Sequence, residues 1–336
     1  LLLKGVDRQI GLTERVCAAI DDTRHPGYIT HSLHDILKQR IYQIASGYED
    51  GNDCNSLRHD PVFRLGVGAK PFDTDETEGA LASGSTISRF EHAVDSKDIY
   101  RLSEALVDQF IAGYASPPEA LVLDIDHSED AAYGQQPLAF YNHYYQSTCY
   151  LPLMVFEGLS GALVAAVLRP GKRPTGAENA MILKRVLKRI RKHFPDTHIL
   201  VRGDGHFSTP ELMAMIDAMD NTDFIFGLPS NAVINRLAEP AAQRACALWA
   251  KVQTQEVVPD AVRLYEEFRY AAATWHKPLR VVQKANFMRH MPQPMSCISS
   301  CVAKRYNTQN WPMRSPQRSL PSYSRLRFRS SNSKTA

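Results

Sequence analysis

The order of the apolar runs between residues 119 and 228 constrains this chain most. "ALVLDID" reads as one strand, "CYLPLMVFEG" as a second and "GALVAAVLRPG" as a third. Gly158 to Gly161 supplies a turn between the second and third, so those two should form an antiparallel hairpin. Thr175-x-x-Glu178 is a capping box that opens a long helix over 177–193. "HILVRGD" is a fourth strand. Ser208-x-x-Glu211 caps another helix ending near Met219, and "DFIFGLP" is a fifth strand. The resulting order, β-β-β-α-β-α-β, departs from the even alternation of a doubly wound dinucleotide fold. Neither GxGxxG nor GxxxxGK occurs, so no nucleotide cofactor is expected.

Three leading strands followed by α/β units is the order of the ribonuclease H-like fold, an α/β class with a mixed sheet. Strand alternation places Val122, Asp124 and Asp126 on one face of the first strand, with Leu123 and Ile125 on the other. Acids inside such a run are disfavoured by strand propensity and costly to bury without a partner. Asp204 ends the fourth strand, which in this fold lies beside the first. That would bring Asp126 or Asp124 close to Asp204 across nearly 80 residues of chain. Two carboxylates so placed repel, and a divalent cation such as Mg²⁺ or Mn²⁺ relieves the repulsion. Such ions activate water and stabilise a leaving 3′-oxygen in phosphodiester cleavage. Asp204 equally fits a turn or cap residue at a strand end. Arg202 should share its face and could pair with that carboxylate or with a DNA phosphate. His127 and His206 adjoin the site as polar neighbours. Trp249 and Trp275 suit core packing better than stacking on a flipped base.

Around this region the chain changes character twice. Residues 1–118 read as helical and end at Pro117-Pro118. In "HSLHDILKQRIYQIASG", Ser32 caps, Asp35 occupies the capping-box position and Gly47 closes the helix. "GSTISRFEHAVD" opens another helix from Ser85 or Ser88. It fits a DNA-recognition helix and an ordinary bundle helix equally well. Residues 119–287 form the expected catalytic domain, with an insertion at about 228–285 whose "VRLYEEFRYAAATW" and "LRVVQKANF" look like strands. From 288 to 336 no apolar period survives, and Ser, Pro and Arg dominate, so a disordered tail is expected. Charge divides in the same region. No Asp or Glu follows Glu267, while 13 of the 39 Lys and Arg do. The part up to Glu267 therefore carries 26 basic against 36 acidic residues, net −10. Six scattered cysteines without a CxxC pair indicate free thiols and no zinc site. There is no apolar run of membrane-spanning length and no signal-peptide h-region, which favours a cytoplasmic protein.

Three segments, "LVLDIDHSEDAAYGQQPLAFYNHYYQSTCYLPLMVFEG", "ALVAAVLRPG" and "ILVRGDGHFSTPELM", resemble the core of bacterial insertion-sequence transposases of the DDE type. "LTERV", "KQRIYQIASGYEDGND" and "STISRFEHAVD" are similar to the same family's amino-terminal part, so the likeness runs over roughly residues 5–285. The resemblance implies a ribonuclease H-like catalytic domain dependent on Mg²⁺ or Mn²⁺. It also implies double-stranded DNA bearing terminal inverted repeats as substrate, strand cleavage followed by transfer, and a homo-oligomer on DNA. Residue by residue, the family's second acid falls on Asp204. Its first acid falls on Asp126, followed by His127 and Ser128, with Asp124 close behind. The third acid, a Glu on a late helix, has no counterpart. Glu266 and Glu267 are the last acids in the chain and lie on an expected strand. The tail is open to three readings: a basic DNA-binding arm, a solvated end, or out-of-frame translation of a decayed element. Two alternatives to an impaired transposase remain at this stage. One is a DNA-binding protein without chemistry, and the other is a ribonuclease H-like nuclease that hydrolyses without transfer.

Overall fold

The computed structural model describes residues 1–70, 79–254, 261–288 and 297–303. Seven helices come first: α1 (Leu2–Ile10), α2 (Leu12–Ala18), α3 (Leu33–Ala45), α4 (Asp53–Leu57), α5 (Pro61–Val67), α6 (Gly84–Ala93) and α7 (Ser96–Ile111). Strands β1 (Ala120–His127), β2 (Asp130–Ala131), β3 (Phe140–Asn142), β4 (Ser147–Tyr150), β5 (Leu153–Glu157) and β6 (Leu163–Val167) follow. The chain continues through α8 (Gly176–His193), β7 (His198–Gly203), α9 (Pro210–Asp217) and β8 (Thr222–Leu228). The last described elements are α10 (Ala232–Val252), β9 (Ala261–Tyr270), β10 (Leu279–Met288) and β11 (Cys297–Ala303).

Two compact units form. The first comprises residues 1–119, 159–167 and 185–197. Its helices start where the side chains dictate. Ser32 Oγ accepts from the Asp35 N–H at 3.1 Å at the head of α3. Asp95 and Asp98 make a complete capping box on α7. Ile36, Cys54, Ala82 and Ile87 pack into one apolar cluster that joins α3, α4 and α6. The buried Gln39 amide spans the same layer, donating to the Ala82 carbonyl at 2.8 Å and accepting from its N–H at 2.9 Å. α6 begins at Gly84 with Ser83 in the cap position, a residue before the expected start. It buries Ile87 and leaves Ser85, Ser88 and Arg89 exposed.

The second unit comprises residues 120–158, 168–184 and 198 onward. Its main sheet runs β5-β1-β7-β8-β11-β10-β9. β1 is antiparallel to β5 and parallel to β7, and β7 is parallel to β8. β11 then pairs antiparallel with both β8 and β10, and β10 pairs antiparallel with β9. A small sheet, β2-β4-β3, stands apart. β1 is a central strand buried on both faces from Leu121 to Leu123. It therefore reads as a continuous apolar run rather than an alternating one. At the head of α8 the expected box is complete: the Thr175 N–H donates to Glu178 Oε2 at 2.8 Å, and the Glu178 N–H donates to Thr175 Oγ1 at 3.2 Å.

Four expectations change. "CYLPLMVFEG" is two strands, β4 and β5, with Pro152 between them, because proline cannot donate to a ladder. Ser208 is not the cap of α9. Thr209 holds that position without a side-chain bond, while Ser208 Oγ donates to the Gly205 carbonyl at 2.8 Å. The stretch after "DFIFGLP" opens with the 21-residue helix α10, whose period is masked by Pro240 in its interior and by small core residues. Asn231 caps it through the Val233 and Ile234 N–H groups. Ala245 and Trp249 pack on Ala285, and the buried Gln283 amide donates to the Ala238 carbonyl at 3.0 Å. Finally, residues 297–303 are a strand within the sheet, not disorder. The segment "CISSCVA" has no alternation of large apolar residues, and its place comes from its pairing with β8 and β10. The remaining stretches of the expected tail, 289–296 and 304–336, lie outside the described residues.

Candidate active site

The acids of β1 meet β7 at the carboxyl end of both strands. In the parallel register Asp124 is opposite Arg202 and Ile125 opposite Gly203. Asp204 follows directly, one row beyond. Asp124 and Arg202 form a two-bond pair: Nε to Oδ1 at 2.6 Å and Nη2 to Oδ2 at 2.7 Å. Gly158 lies flat against that pair. A Cβ there would stand 2.6 Å from Arg202 Nη2 and 2.7 Å from Asp124 Oδ2, so a larger residue would push the pair aside. Arg202 thus pairs with Asp124 and not with the Asp204 carboxylate foreseen for it. Both oxygens of Asp124 are engaged by this guanidinium, which leaves Asp126 as the first-strand acid with a free oxygen.

Asp126 Oδ1 accepts from the His127 N–H at 2.8 Å. Burial pushes its carboxyl above the ordinary carboxylate value. The backbone bond lowers it, the negative charge of Asp204 raises it further, and His206 lowers it again. The charge of Asp204 therefore reaches Asp126 across the carboxyl ends of β1 and β7. Asp204 also serves as the cap that its strand-end position suggested. Its Oδ1 accepts from the His206 N–H at 2.9 Å, and its Oδ2 lies 3.0 Å from His206 Nδ1. The side chain nevertheless stays half exposed, at 53%. A cap fixes the carboxylate without burying it, which suits a group that must still accept a ligand.

His127 is half-buried, and its ring stacks on Phe207 with centroids 4.9 Å apart and planes 6° apart. Burial lowers its pKa to about 4. The charge of Arg169 acts in the same direction, and the Asn179 amide opposes it. At neutral pH His127 is therefore an uncharged platform rather than a cation. Phe207 is wholly buried and leans on Phe226, so the stack is anchored in the core. Gly203 makes room for this arrangement: a Cβ there would meet Phe207 Cδ2 at 2.7 Å and Ile125 Cγ1 at 3.0 Å. Sequence reasoning passed over Gly158, Phe207 and Asn179. The "RGDGHF" run held the only signal, a glycine on each side of the acid.

The late acids stand elsewhere. Glu266 pairs with Arg244, and Glu267 pairs with Arg280. Both ride on β9, five strand spacings from β1 in the order β1-β7-β8-β11-β10-β9. At about 4.8 Å per spacing that is roughly 24 Å, far beyond the reach of an ion whose ligands lie about 2 Å away. Among the described residues no group of three His, Cys, Asp or Glu is placed to hold a metal ion. Trp249 is a core residue on Ala245 and Ala285, and Trp275 meets Tyr270 edge-on at 5.3 Å. Among the described helices none is long and apolar enough to cross a membrane.

A mixed α/β unit with two acids at the carboxyl ends of adjacent central strands is the setting in which the family relationship falls. The chain belongs to the transposase DDE domain group 1 family, whose model matches residues 1–309. That match extends past Glu267 into the stretch without acids. No curated protein matches the chain. Among solved structures it is similar to the cryo-EM piggyBac transposase synaptic complex with hairpin DNA: 13% identity over 88% of this chain and 57% of that one, TM-score 0.41. The Drosophila P element transposase strand transfer complex gives 11% identity over 65% and 54%, TM-score 0.27. The chain thus spans a little over half the length of each of these transposase chains.

Proposed function

We propose that this chain is a DNA transposase whose second unit is a ribonuclease H-like catalytic core with Asp126 and Asp204 as its carboxylates. One observation carries the reading: two acids 78 residues apart in sequence stand at the carboxyl ends of adjacent parallel strands, where the charge of Asp204 acts on Asp126. The pair is a hard-oxygen donor set that fits Mg²⁺ or Mn²⁺, and both carboxylates are exposed enough to take one. A bound divalent ion would supply positive charge for activating water and stabilising a leaving 3′-oxygen. Asp126 is held by its own backbone bond and by the His127 stack. Asp204 is held by its cap. Arg202, locked to Asp124, keeps a fixed positive charge one row behind the acids. The substrate on this reading is duplex DNA carrying terminal inverted repeats, bound by a homo-oligomer, with residues 1–118 contributing to DNA recognition.

The chain as it stands is an impaired enzyme on this reading. Two carboxylates provide an incomplete cradle, and among the described residues no third acid is grouped with them. Loss of one such stabilising group costs several kcal/mol, on the order of a thousandfold in rate. The test is cleavage of a labelled duplex bearing the sequences that flank the gene, in Mg²⁺ and in Mn²⁺. The expected result is little or no nicking, restored when a late helix bearing a Glu is grafted after Ala303, which leaves β10 and β11 intact. Robust nicking that survives Asp204→Ala would overturn the reading. Restored hydrolysis without joining to a target would favour a nuclease instead. Salt-sensitive DNA binding with no gain from the graft and no metal uptake would favour a DNA-binding protein without chemistry.

A further inference from the structure

Six of the 26 Lys and Arg that precede Glu267 fall within ten residues, 184–193, where no Asp or Glu occurs. This is a dense block of positive charge in a segment whose balance is net negative. The structure sorts the block into two sets. α8 buries Val186, Leu187 and Ile190. Arg189 turns to α7 and holds Asp108 through Nε at 2.7 Å and Nη2 at 2.6 Å, with Glu104 at 3.6 Å. Arg191 closes the end of the helix on the carbonyls of Phe194 and Pro195, at 3.2 and 2.9 Å. These two cations are satisfied by the fold. Lys184, Arg185, Lys188 and Lys192 are not, and the last three form one row along the helix. All three are exposed, and among the described residues none takes a carboxylate partner. Arg185 only rests over the Tyr100 ring, 5.2 Å from its centroid.

The three occupy positions i, i+3 and i+7, which share one face of a helix. Complementing the helix dipole explains cations in the last turn only. Arg185 and Lys188 lie more than one turn earlier. The nearest acids on α7, Glu104 and Asp108, are already held by Arg189. An exposed row of unneutralised cations fits a polyanion. From Arg185 to Lys192 the helix rises about 10 Å. Phosphates along one DNA strand succeed each other every 3.4 Å or so of axis, so the row matches about three of them.

We propose that the outer face of α8, formed by Arg185, Lys188 and Lys192, is a track for the phosphates of one strand of duplex DNA. The proposal rests on the DNA-transposase reading and adds a place to it. Arg189 and the buried apolar row set the rotation of the helix, and that rotation presents the three side chains outward. The contact is to backbone charge and carries no sequence preference.

The experiment is fluorescence anisotropy with the full chain and a labelled duplex of mixed sequence, roughly 30 base pairs long, across a salt series. Wild type is compared with the triple variant Arg185→Gln, Lys188→Gln, Lys192→Gln. Glutamine keeps helix propensity, so α8 should persist, and far-ultraviolet circular dichroism checks it. The slope of log affinity against log salt should fall by about 2 to 3, since each phosphate contact contributes about 0.9. The single variant Lys188→Gln should lower it by about 0.9 even if the triple variant folds poorly. A slope unchanged in both variants, with wild type still binding, would overturn the track and leave the transposase reading intact. Failure of wild type to bind duplex at all would remove both.

Discussion

At the scale of single residues, His127 and Asp126 make opposite demands of pH. The folded pKa of His127, about 4, lies below its ordinary value near 6.5. The unfolded chain therefore binds the extra proton first as pH falls. Stability from this residue is complete above about pH 6.5 and lost as pH falls from there through 4, with an upper bound on the order of 3 kcal/mol. Chemical denaturation of the metal-free chain at a series of pH values should show this decline. His127→Phe keeps a ring against Phe207 and should flatten it. A wild-type curve level between pH 7 and 4 would contradict the assignment. Asp126 has a raised pKa, so its ionised form costs stability above that value. Asp126→Asn should therefore raise the metal-free melting temperature at neutral pH, with the gain vanishing below about pH 3.9. The acids themselves were legible in the sequence, because charge inside an apolar strand is conspicuous. The partner of Arg202 was not: three carboxylates lay within reach of one face, and only the register of β1 on β7 selects Asp124.

At the scale of elements, glycines decide how closely the site can be assembled. Gly203 separates Arg202 from Asp204 and lets Phe207 pack over the strand. Gly203→Ala should destabilise the chain by about 1 to 3 kcal/mol through overpacking, and it should weaken Mn²⁺ binding as Phe207 leaves His127. Normal stability in urea would show that the neighbours yield easily and that the stack is not what seats Asp126. Capped elements with large apolar residues were readable in advance: α3 from Ser32, α8 from Thr175, and β1, β7 and β8 from their apolar runs. α10 was not, because Pro240 interrupts the pattern and alanines fill the buried positions. β11 was missed for a related reason. A short strand of small residues inside a sheet carries no period of its own, and its identity comes from the strands on both sides.

At the scale of the whole molecule, the change in charge after Glu267 invited a boundary there, yet the sheet continues through it. β10 and β11 both lie beyond the last acid, and Val281, Ala285 and Val302 are fully buried. Ending the chain after Met288 would remove β11 from between β8 and β10 and leave those two ladders unpaired. Such a chain should unfold at a lower temperature and expose apolar surface to a fluorescent probe. An unchanged melting curve would mean that β11 contributes nothing to the fold. Composition marked where charge changes and was silent about where pairing stops, because backbone hydrogen bonds need no acidic residue.

Calorimetric titration of Mn²⁺ into the full chain decides whether Asp126 and Asp204 together make a cation site. Wild type, Asp126→Ala, Asp204→Ala and Asp124→Asn are compared at neutral pH. One ion should bind wild type, with at least about a tenfold loss of affinity in each alanine variant and Asp124→Asn within about twofold, since the Asp124 carboxylate is held by the Arg202 guanidinium. Equal Mn²⁺ affinity in wild type and both alanine variants would contradict it.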